Sequence, residues 1–517
     1  MTFEIVFVLL SLLGMMAALI ADKMRPGMVL FSVVVLFLCV GILTPKEMLE
    51  GFSNKGMITV AMLFLVSEGI RQSGALGQVI KKRLPQGKTP VFKAQLRILP
   101  SVAFISAFLN NTPVVVIFAP IIKHWAKSVK LPATKFLIPL SYVTILGGIC
   151  TLIGTSTNLV VHGMILEAGY EGFTMFELGK VGIFIAIAGI IYLFIFSKRL
   201  LPDARPDTAV PDEEVEEGEK LHRVEAVLGA RFPGINKKLS DFNFQRHYGA
   251  EVKEIKTRNG QRYVDHLEDV VLREGDTLVV MADDTFIPTW GESSVFVLLT
   301  NGNDPDTSGK KKRWLALILL VLMIVGATVG ELPATKEMFP DIKLDMFFFV
   351  CITTIIMAWT NIFPARKYTK YISWDILITI ACAFAISKAM VNSGVADCVA
   401  GFIIGLSDDY GPHVLLAILF VITNLFTELI TNNAAAALAF PLALSISAQL
   451  GVSPTPFFVV ICMAASASFS TPIGYQTNLI VQGIGNYKFT DFVRIGLPLN
   501  IITFLISVIL IPLIWNF

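Results

Sequence analysis

The chain has 517 residues, of which 54% are hydrophobic and 16% are charged, against about 25% charged residues in soluble domains. Its net charge of +2 gives no reason to expect a nucleic-acid partner. Residues 199–313 carry 39 of the 82 charged side chains, and the other 402 residues carry only 43. A uniformly soluble protein is therefore excluded, and we predict an all-α polytopic membrane protein with a small α+β domain inserted between two membrane halves.

Ten stretches are long and apolar enough to span a bilayer. We place them at 3–21, 27–43, 56–76, 136–165, 176–197, 314–331, 346–363, 373–405, 456–484 and 495–516. Two further apolar segments, about 96–122 and 413–449, are each interrupted by a polar tip followed by proline. Because such a break is tolerated at membrane depth only where the chain lines a cavity, both segments predict re-entrant hairpins. The chain then divides into membrane repeat 1 (1–198), an acidic linker (199–220), a soluble domain with a basic linker (221–313) and membrane repeat 2 (314–517).

Lysine and arginine are concentrated on one side of these spans, for example at Lys81, Lys123 and Arg366. The opposite loops, 166–174 and 406–412, carry acidic residues but no lysine or arginine. Positive charge marks the cytoplasmic side of a multi-pass protein in the cell membrane, either plasma or inner. We therefore predict a cytoplasmic soluble domain and outward-facing chain ends. The first hairpin then opens from the inside and the second from the outside.

Three pairs of segments match between the halves at a spacing of 320 or 321 residues. The pairs are LFLVSEGIRQSGAL (63–76) with AFAISKAMVNSGVA (383–396), FLNNTPVVVIFAP (108–120) with LITNNAAAALAFP (429–441), and TLIGTSTNLVVHG (151–163) with TPIGYQTNLIVQG (471–483). Each half has five spans and one hairpin, and the halves start on opposite sides of the membrane. This predicts an inverted repeat, which is typical of secondary transporters with a site between the repeats. A purely structural duplication is the alternative.

The hairpin tips, Asn110-Asn111-Thr112 and Thr431-Asn432-Asn433, offer neutral oxygens for a hard cation and N–H or O–H donors for an oxyanion. Free N–H groups where a helix begins also favour an anion. The Gly-x-x-x-Asn segments 154–158 and 474–478 interrupt apolar spans and can present backbone carbonyls opposite the tips. We predict two cation sites flanking one anion site; alternatively, these residues only bond helices together. Glu428, just before the second tip, is expected to tune that site, to accept a proton or to serve only as a hydrogen-bond acceptor.

The tips and the segments GGICTLIGTSTNLVVHG and STPIGYQTNLIVQG resemble the divalent anion–sodium symporter (DASS) family over nearly all of both membrane halves. The resemblance implies a homodimer in which a transport domain moves like an elevator against a scaffold, with Na+ as the coupling ion. It implies sodium ligands in both tips and both interrupted spans: Ser106, Asn110, Asn111, Gly154, Thr427, Thr431, Asn432, Ser470 and Gly474. It implies anion contacts in a neighbouring set: Asn111, Thr112, Thr157, Asn158, Asn432, Asn433, Thr477 and Asn478. The tips differ from the Ser-Asn-Thr of that family, and Thr-Asn stands where dicarboxylate carriers tend to have Pro-Pro-Asn, so the chain is most similar to the sulfate-permease branch.

The soluble domain contains short β-like runs at 224–229, 249–257 and 276–282, with turn signals at Asn259-Gly260 and Glu274-Gly275-Asp276. A further strand and a basic linker are predicted in 288–313. The segments RHYGAEVKEIKTRNG and LREGDTLVVMA resemble the RCK C-terminal (TrkA-C) domain. That resemblance implies a dimer contact or a small regulatory ligand of unknown identity. A passive appendage is the alternative.

The leading functional hypothesis is a sodium-coupled symporter of a divalent oxyanion, with sulfate as the first candidate and an elevator-type mechanism. The first alternative is a sodium- or proton-coupled di- or tricarboxylate carrier. A ligand-gated ion channel is the second, suggested by the potassium-linked soluble domain but opposed by the lack of a TVGYG-like filter. The chain has no Walker A, HExxH or GxSxG motif, which predicts a carrier and not an enzyme.

Overall fold

The computed structural model describes residues 2–21, 24–85, 87, 89–203, 222–229, 231–257, 261–283, 286–290, 295–300, 310–405 and 411–517. Within this part of the chain there are 23 α-helices and five β-strands, and the strands lie between two groups of helices.

The first group contains ten helices. They are α1 (Phe3–Ala21), α2 (Pro26–Val40), α3 (Pro45–Glu50), α4 (Lys55–Gln72), α5 (Ala75–Arg83), α6 (Val91–Ser106), α7 (Asn111–Ser128), α8 (Leu137–Gly148), α9 (Ser156–Glu167) and α10 (Gly179–Leu200). The chain between the groups forms β1 (His222–Leu228), α11 (Phe244–Tyr248), β2 (Glu251–Lys256), β3 (Arg262–Tyr263), β4 (Thr277–Ala282), α12 (Phe286–Trp290) and β5 (Phe296–Thr300). The second group contains α13 (Lys310–Gly330), α14 (Pro333–Met338), α15 (Met346–Trp359), α16 (Tyr368–Tyr371), α17 (Trp374–Asn392), α18 (Val395–Gly405), α19 (Gly411–Leu429), α20 (Asn432–Leu450), α21 (Thr455–Ser466), α22 (Gln476–Gly485) and α23 (Phe489–Ile514).

Eight helical stretches of the described chain are long and apolar enough to cross a membrane. They are Phe3–Ala21, Pro45–Gln72, Gly179–Leu200, Lys310–Gly330, Trp374–Asn392, Gly411–Leu429, Asn432–Leu450 and Phe489–Ile514. Large apolar side chains on these helices face outward, such as Leu13, which is 66% exposed, and Leu513, which is 74% exposed. Such a surface is suited to lipid and not to water. The molecule is therefore a mostly helical, polytopic membrane protein.

The two predicted hairpins correspond to pairs of helices joined by short turns at the polar tips. Residues 107–110 join α6 to α7, and residues 430–431 join α19 to α20. The first pair spans 91–128, which is longer than the predicted 96–122, because charged turns such as those at Lys93 and Lys127 remain helical beyond the apolar window. The polar tips thus lie at the positions predicted from the sequence, and the helices that flank them are longer than the predicted segments.

Several predicted spans are divided in the structure. Non-helical residues 149–155 and 467–475 interrupt 136–165 and 456–484, at the Gly-x-x-x-Asn segments. The stretch 373–405 is also two helices, because Gly394 takes a left-handed conformation with φ +75° between α17 and α18. Gly74 does the same between α4 and α5, at φ +68°. Glycine adopts this conformation without steric penalty, and the helix direction changes there.

The strands form one antiparallel sheet in the order β3-β2-β4-β1-β5. We call residues 222–300 the sheet domain. β1, β2 and β4 coincide with the three apolar runs in the sequence, and Gly275, at φ +85°, makes the turn before β4. The Asn259-Gly260 turn and most of the acidic linker lie outside the described residues. Lys310–Arg313, which was predicted as a linker, is instead the first turn of α13, because four helix-forming residues run directly into its apolar sequence.

The sheet domain contacts both groups of membrane helices. Both carboxylate oxygens of Glu225 in β1 accept hydrogen bonds of 2.9 Å from Lys123 in α7, and one also accepts from Lys256 at 3.3 Å. Burial opposes ionisation of Glu225, but the two lysines outweigh it and lower the pKa of this carboxyl to about 2. On β4, Thr277 packs so closely on α22 that a Cβ on Gly483 would lie 2.5 Å from Thr277 Oγ1. The domain is therefore packed on the membrane helices.

Gly147 allows α6 and α8 to approach each other closely, and Gly147→Ala should destabilise the protein. A Cβ at this position would overlap the Ala103 carbonyl oxygen on α6. We expect a loss of about 1–3 kcal/mol from overpacking, which exceeds the gain in helix propensity. The measurement is thermal unfolding of the purified protein in detergent, with Gly77→Ala as the control because its nearest atom would lie 3.7 Å away. Equal melting temperatures for the two variants would contradict this packing.

Candidate functional site

The second helix of each hairpin begins with an asparagine at the tip, Asn111 in α7 and Asn432 in α20. The first backbone N–H groups of a helix have no partner within the helix and can donate to a ligand. Neither preceding residue, Asn110 nor Thr431, makes a side-chain capping hydrogen bond. Both tips therefore present polar side chains together with unpaired helix N–H groups.

Asn111 is fully buried and its amide is fixed at both ends. Its Oδ1 accepts a hydrogen bond from Ser106 Oγ at 2.7 Å, and its Nδ2 donates to the Tyr475 hydroxyl at 2.5 Å. Ser106 Oγ also lies 2.9 Å from the Thr144 carbonyl oxygen. The first tip is thus bonded to a residue that lies 364 positions away in the other half of the chain.

The Tyr475 hydroxyl connects the two tips. Besides Asn111, it contacts Thr155 Oγ1 at 3.0 Å, and the side chain of Asn432 in the second tip lies close to it. Tyr475 and Thr155 occupy equivalent positions in the two interrupted spans, each directly before a short helix. Groups from both tips and both interrupted spans therefore meet at one hydroxyl.

Further hydrogen bonds cross between the halves. Thr112 Oγ1 in the first tip donates to Gln476 Oε1 at 3.2 Å. In the second tip, Asn433 Oδ1 accepts from Ser156 Oγ at 3.2 Å and from Thr157 Oγ1 at 3.4 Å. Each tip is thus bonded to the interrupted span of the opposite half.

The interrupted spans make equivalent hydrogen bonds in both halves. Asn158 Nδ2 donates to the carbonyls of Gly148 and Thr151, and Asn478 Nδ2 donates to those of Ser468 and Thr471, each pair 320 residues apart. Gly154 N and Gly474 N likewise donate to the hydroxyls of Thr151 and Thr471. These asparagines therefore hold the non-helical segments in shape. Thr477 does not contact either tip through this bond: its Oγ1 accepts a hydrogen bond from Ser141 Oγ at 2.9 Å.

Backbone oxygens crowd around both glycines of these segments. A Cβ on Gly154 would lie 2.5 Å from the Gly148 oxygen and 3.0 Å from the Ala107 oxygen. A Cβ on Gly474 would overlap the Ser468 hydroxyl and the Thr427 carbonyl. Only glycine fits at either position, and several neutral oxygens converge there.

The second tip differs from the first in having a carboxylate. Glu428 Oε1 accepts from the Ser470 backbone N–H at 2.8 Å and from Asn500 Nδ2 at 2.7 Å. Asn500 Nδ2 also reaches Ser470 Oγ at 2.9 Å. The structure therefore places Ser470 against Glu428, where its N–H stabilises the carboxylate.

The other predicted cation ligands lie around these groups. Thr427 Oγ1 donates to the Ala465 carbonyl at 2.6 Å, and in the first half Ser106 Oγ lies similarly close to the Thr144 carbonyl. Thr431 Oγ1 is buried without a hydrogen-bond partner in the described part of the chain. Asn110 lines a small cavity with Ser156, facing α4. Uncharged oxygens of this kind, with a spare buried acceptor, suit an alkali cation.

Sequence reasoning did not single out Tyr475, Gln476 or Ser156. Their signal was available, since all three lie within the matched segments 151–163 and 471–483. They were missed because the residue types differ at equivalent positions of the repeat: Thr155 is aligned with Tyr475, and Ser156 is aligned with Gln476.

A family model described as "Citrate transporter" matches residues 16–446 and 341–517. The uncharacterized transporter sll0640 of Synechocystis sp. is 30% identical over 573 residues, covering 94% of this chain and 93% of the relative. Sodium/sulfate cotransporter 2 of Chlamydomonas reinhardtii is 30% identical over 281 residues, covering 54% of this chain and 31% of that protein. The sodium-dependent dicarboxylate transporter SdcS of Staphylococcus saprophyticus is 25% identical over 145 residues, or 28% of each chain.

These matches confirm the broad family predicted from the tips and the interrupted spans. The family model covers well over half of the chain. The chain therefore belongs to the citrate transporter family, a family of transporters and not of enzymes.

Proposed function

We propose that this protein is a sodium-coupled symporter of a divalent oxyanion, with sulfate as its leading substrate. The observation that carries the proposal is the meeting of two polar hairpin tips and two interrupted spans at the Tyr475 hydroxyl. Donors there are neutral amides, hydroxyls and helix N–H groups, which bind an oxyanion without a buried counter-charge. The sodium/sulfate cotransporters of Chlamydomonas reinhardtii among the relatives support this substrate and this ion.

In this proposal one sodium ion would be held beside each tip. Ser106, Asn110, Asn111 and the backbone at Gly154 would supply oxygens to the first ion. Thr427, Thr431, Asn432 and a backbone oxygen near Ser470 or Gly474 would supply the second. The spare oxygen of Thr431 and the carbonyls crowded around Gly154 support this assignment.

The anion would lie between the ions, against the helix N–H groups of both tips. Thr112, Asn433 and Thr157 would face it, and their hydrogen bonds across the halves support this assignment. Asn158, Thr477 and Asn478 would support the site from behind and not touch the anion. Sodium would order the tips and complete the anion site, so the two should bind cooperatively.

We propose further that the halves form an inverted repeat with re-entrant hairpins. The protein would work as a homodimer by an elevator motion. The sheet domain would be a cytoplasmic TrkA-C-like module. Hydrogen bonds repeated 320 residues apart support the duplication. Both chain ends would then face outward. A small regulatory ligand on the sheet domain fits the same proposal.

A carboxylate carrier is the second candidate, coupled to sodium or to protons. It is favoured by the citrate transporter description of the family and by the dicarboxylate transporter SdcS among the relatives. Glu428 beside the second tip would be the proton acceptor in such a carrier.

Uptake of radiolabelled sulfate into proteoliposomes tests the proposal. We expect uptake to require an inward sodium gradient, to stop when potassium replaces sodium, and to be inhibited by thiosulfate but not by succinate or citrate. Sodium-driven succinate or citrate uptake without sulfate uptake would establish the second candidate instead. Ion currents far above carrier turnover would favour a channel.

A further inference from the structure

A cleft of about 520 Å³ opens between the sheet domain and the membrane helices. One wall is formed by Arg25 and Phe31, at and just beyond the start of α2, and by the segment 370–375 before and into α17. The opposite wall is formed by the sheet domain, through Gly229, Arg231 and Glu274. The domain thus lines a space that the membrane helices do not enclose alone.

This cleft reaches the candidate site. Gln476, the first residue of α22, lies on its lining and is half-buried. Its Oε1 accepts the hydrogen bond from Thr112 in the first tip. A molecule in the cleft would therefore meet a residue that is bonded directly to the tip.

The sheet domain is fixed to the elements that build the site. Glu225 is bonded to Lys123 on α7, the helix that begins at Asn111. Thr277 packs on Gly483 of α22, the helix that begins at Gln476. A weaker contact joins Arg231 Nη2 to the Ile372 carbonyl at 3.4 Å. These contacts hold Arg231 on the lining of the cleft.

The charges that line the cleft favour an anion. Three cations, Arg25, Arg231 and Lys370, face two carboxylates, Glu274 and Asp375. These five residues together carry one net positive formal charge, and Arg231 is the cation that the sheet domain contributes. A cleft with low-dielectric walls concentrates such a field.

We propose that the sheet domain forms one wall of the passage between the adjacent aqueous phase and the anion site, and that Arg231 draws the anion into it. The inference rests on the proposed function and extends it, because it makes the inserted domain part of the transport path. Arg231 would act on entry and not on binding at the tips.

Thiol labelling at position 476, on the lining of the cleft, tests this. Gln476→Cys is introduced into the full-length protein with the exposed Cys39 and Cys398 replaced by serine, and the parent without Gln476→Cys gives the background. Purified protein in detergent is labelled with two methanethiosulfonates of similar size, the anionic sulfonatoethyl and the cationic trimethylammonioethyl reagents. The ratio of their rates reports the potential at position 476.

We expect Arg231→Glu to lower the ratio of anionic to cationic rate by about fivefold at low salt, and Arg231→Gln to lower it less. The difference should fade at about 1 M salt, where the screening length is about 3 Å. Arg246→Glu is the matched control, since Arg246 is an exposed arginine of the same domain that does not line the cleft. It should leave the ratio unchanged.

Equal ratios for Arg231→Glu and Arg246→Glu would overturn the inference, and so would an introduced thiol at position 476 that neither reagent reaches. Failure of the proposed function appears differently, as absence of sodium-driven uptake by the unmodified protein. The two failures are therefore distinguishable.

Discussion

Replacing Asn111 by alanine should lower sodium-driven anion uptake by about 100-fold, and replacing Asn432 should have a similar effect. The Asn111 amide joins Ser106 to Tyr475 inside the protein, and Asn432 reaches the same tyrosine from the second tip. Truncation of Asn111 removes one hydrogen-bond partner from each of two buried hydroxyls, at a cost of about 0.5–1.5 kcal/mol per bond, and each truncation removes a proposed sodium ligand. Initial uptake rates in proteoliposomes measure the effect.

Asn392→Ala is the matched control for both truncations. Its amide also donates two hydrogen bonds, to the Ile42 carbonyl and to Glu47, but these lie away from both tips. The Asn392→Ala variant should therefore lose an amide of the same kind and still retain uptake. All three variants should elute as folded protein from a size-exclusion column, which separates loss of function from loss of fold. Unchanged uptake in both tip variants would contradict the assignment of the sodium and anion site to the two tips.

The sequence was sufficient to locate the tips because the signal there is chemical and local. Asn110-Asn111-Thr112 breaks an apolar segment, and a polar break in such a segment has few structural explanations. The match at Thr431-Asn432-Asn433 then pointed to a second copy. The strands β1, β2 and β4 were visible for a similar reason, since short runs rich in apolar residues stand between turn residues.

Contacts between the halves could not be read from the sequence. Tyr475 bonds to Asn111 over 364 positions, and an aromatic residue in an apolar segment is usually part of the core. The break at Gly394 was missed because a single glycine inside an apolar stretch is compatible with a continuous helix. The docking of Glu225 on Lys123 depends on how two folded units meet, which no local pattern encodes.

Tyr475→Phe should raise the sodium concentration for half-maximal uptake by about tenfold, which corresponds to about 1.4 kcal/mol for one lost hydroxyl shared by both tips. The ring and its packing are kept, so only the hydroxyl is lost, with its hydrogen bonds to Asn111 and Thr155 and its close approach to Asn432. Because two of these residues are proposed sodium ligands, uptake should fall most at limiting sodium and recover in part at saturating sodium. The measurement is sulfate uptake as a function of sodium concentration.

A control and a double variant show whether the hydroxyl acts through the tips. Tyr192→Phe removes the hydroxyl of a tyrosine that is equally buried, at 7% exposure, but that donates to the Ile495 carbonyl and to neither tip, so sodium dependence should not change. Thr155→Val removes a partner of Tyr475 without changing the shape of the side chain. If one network fixes both tips, the double variant Tyr475→Phe, Thr155→Val should lose less than the sum of the single losses. Strict additivity, or an equal shift in Tyr192→Phe, would show that Tyr475 only packs between the halves and does not couple the two cation sites.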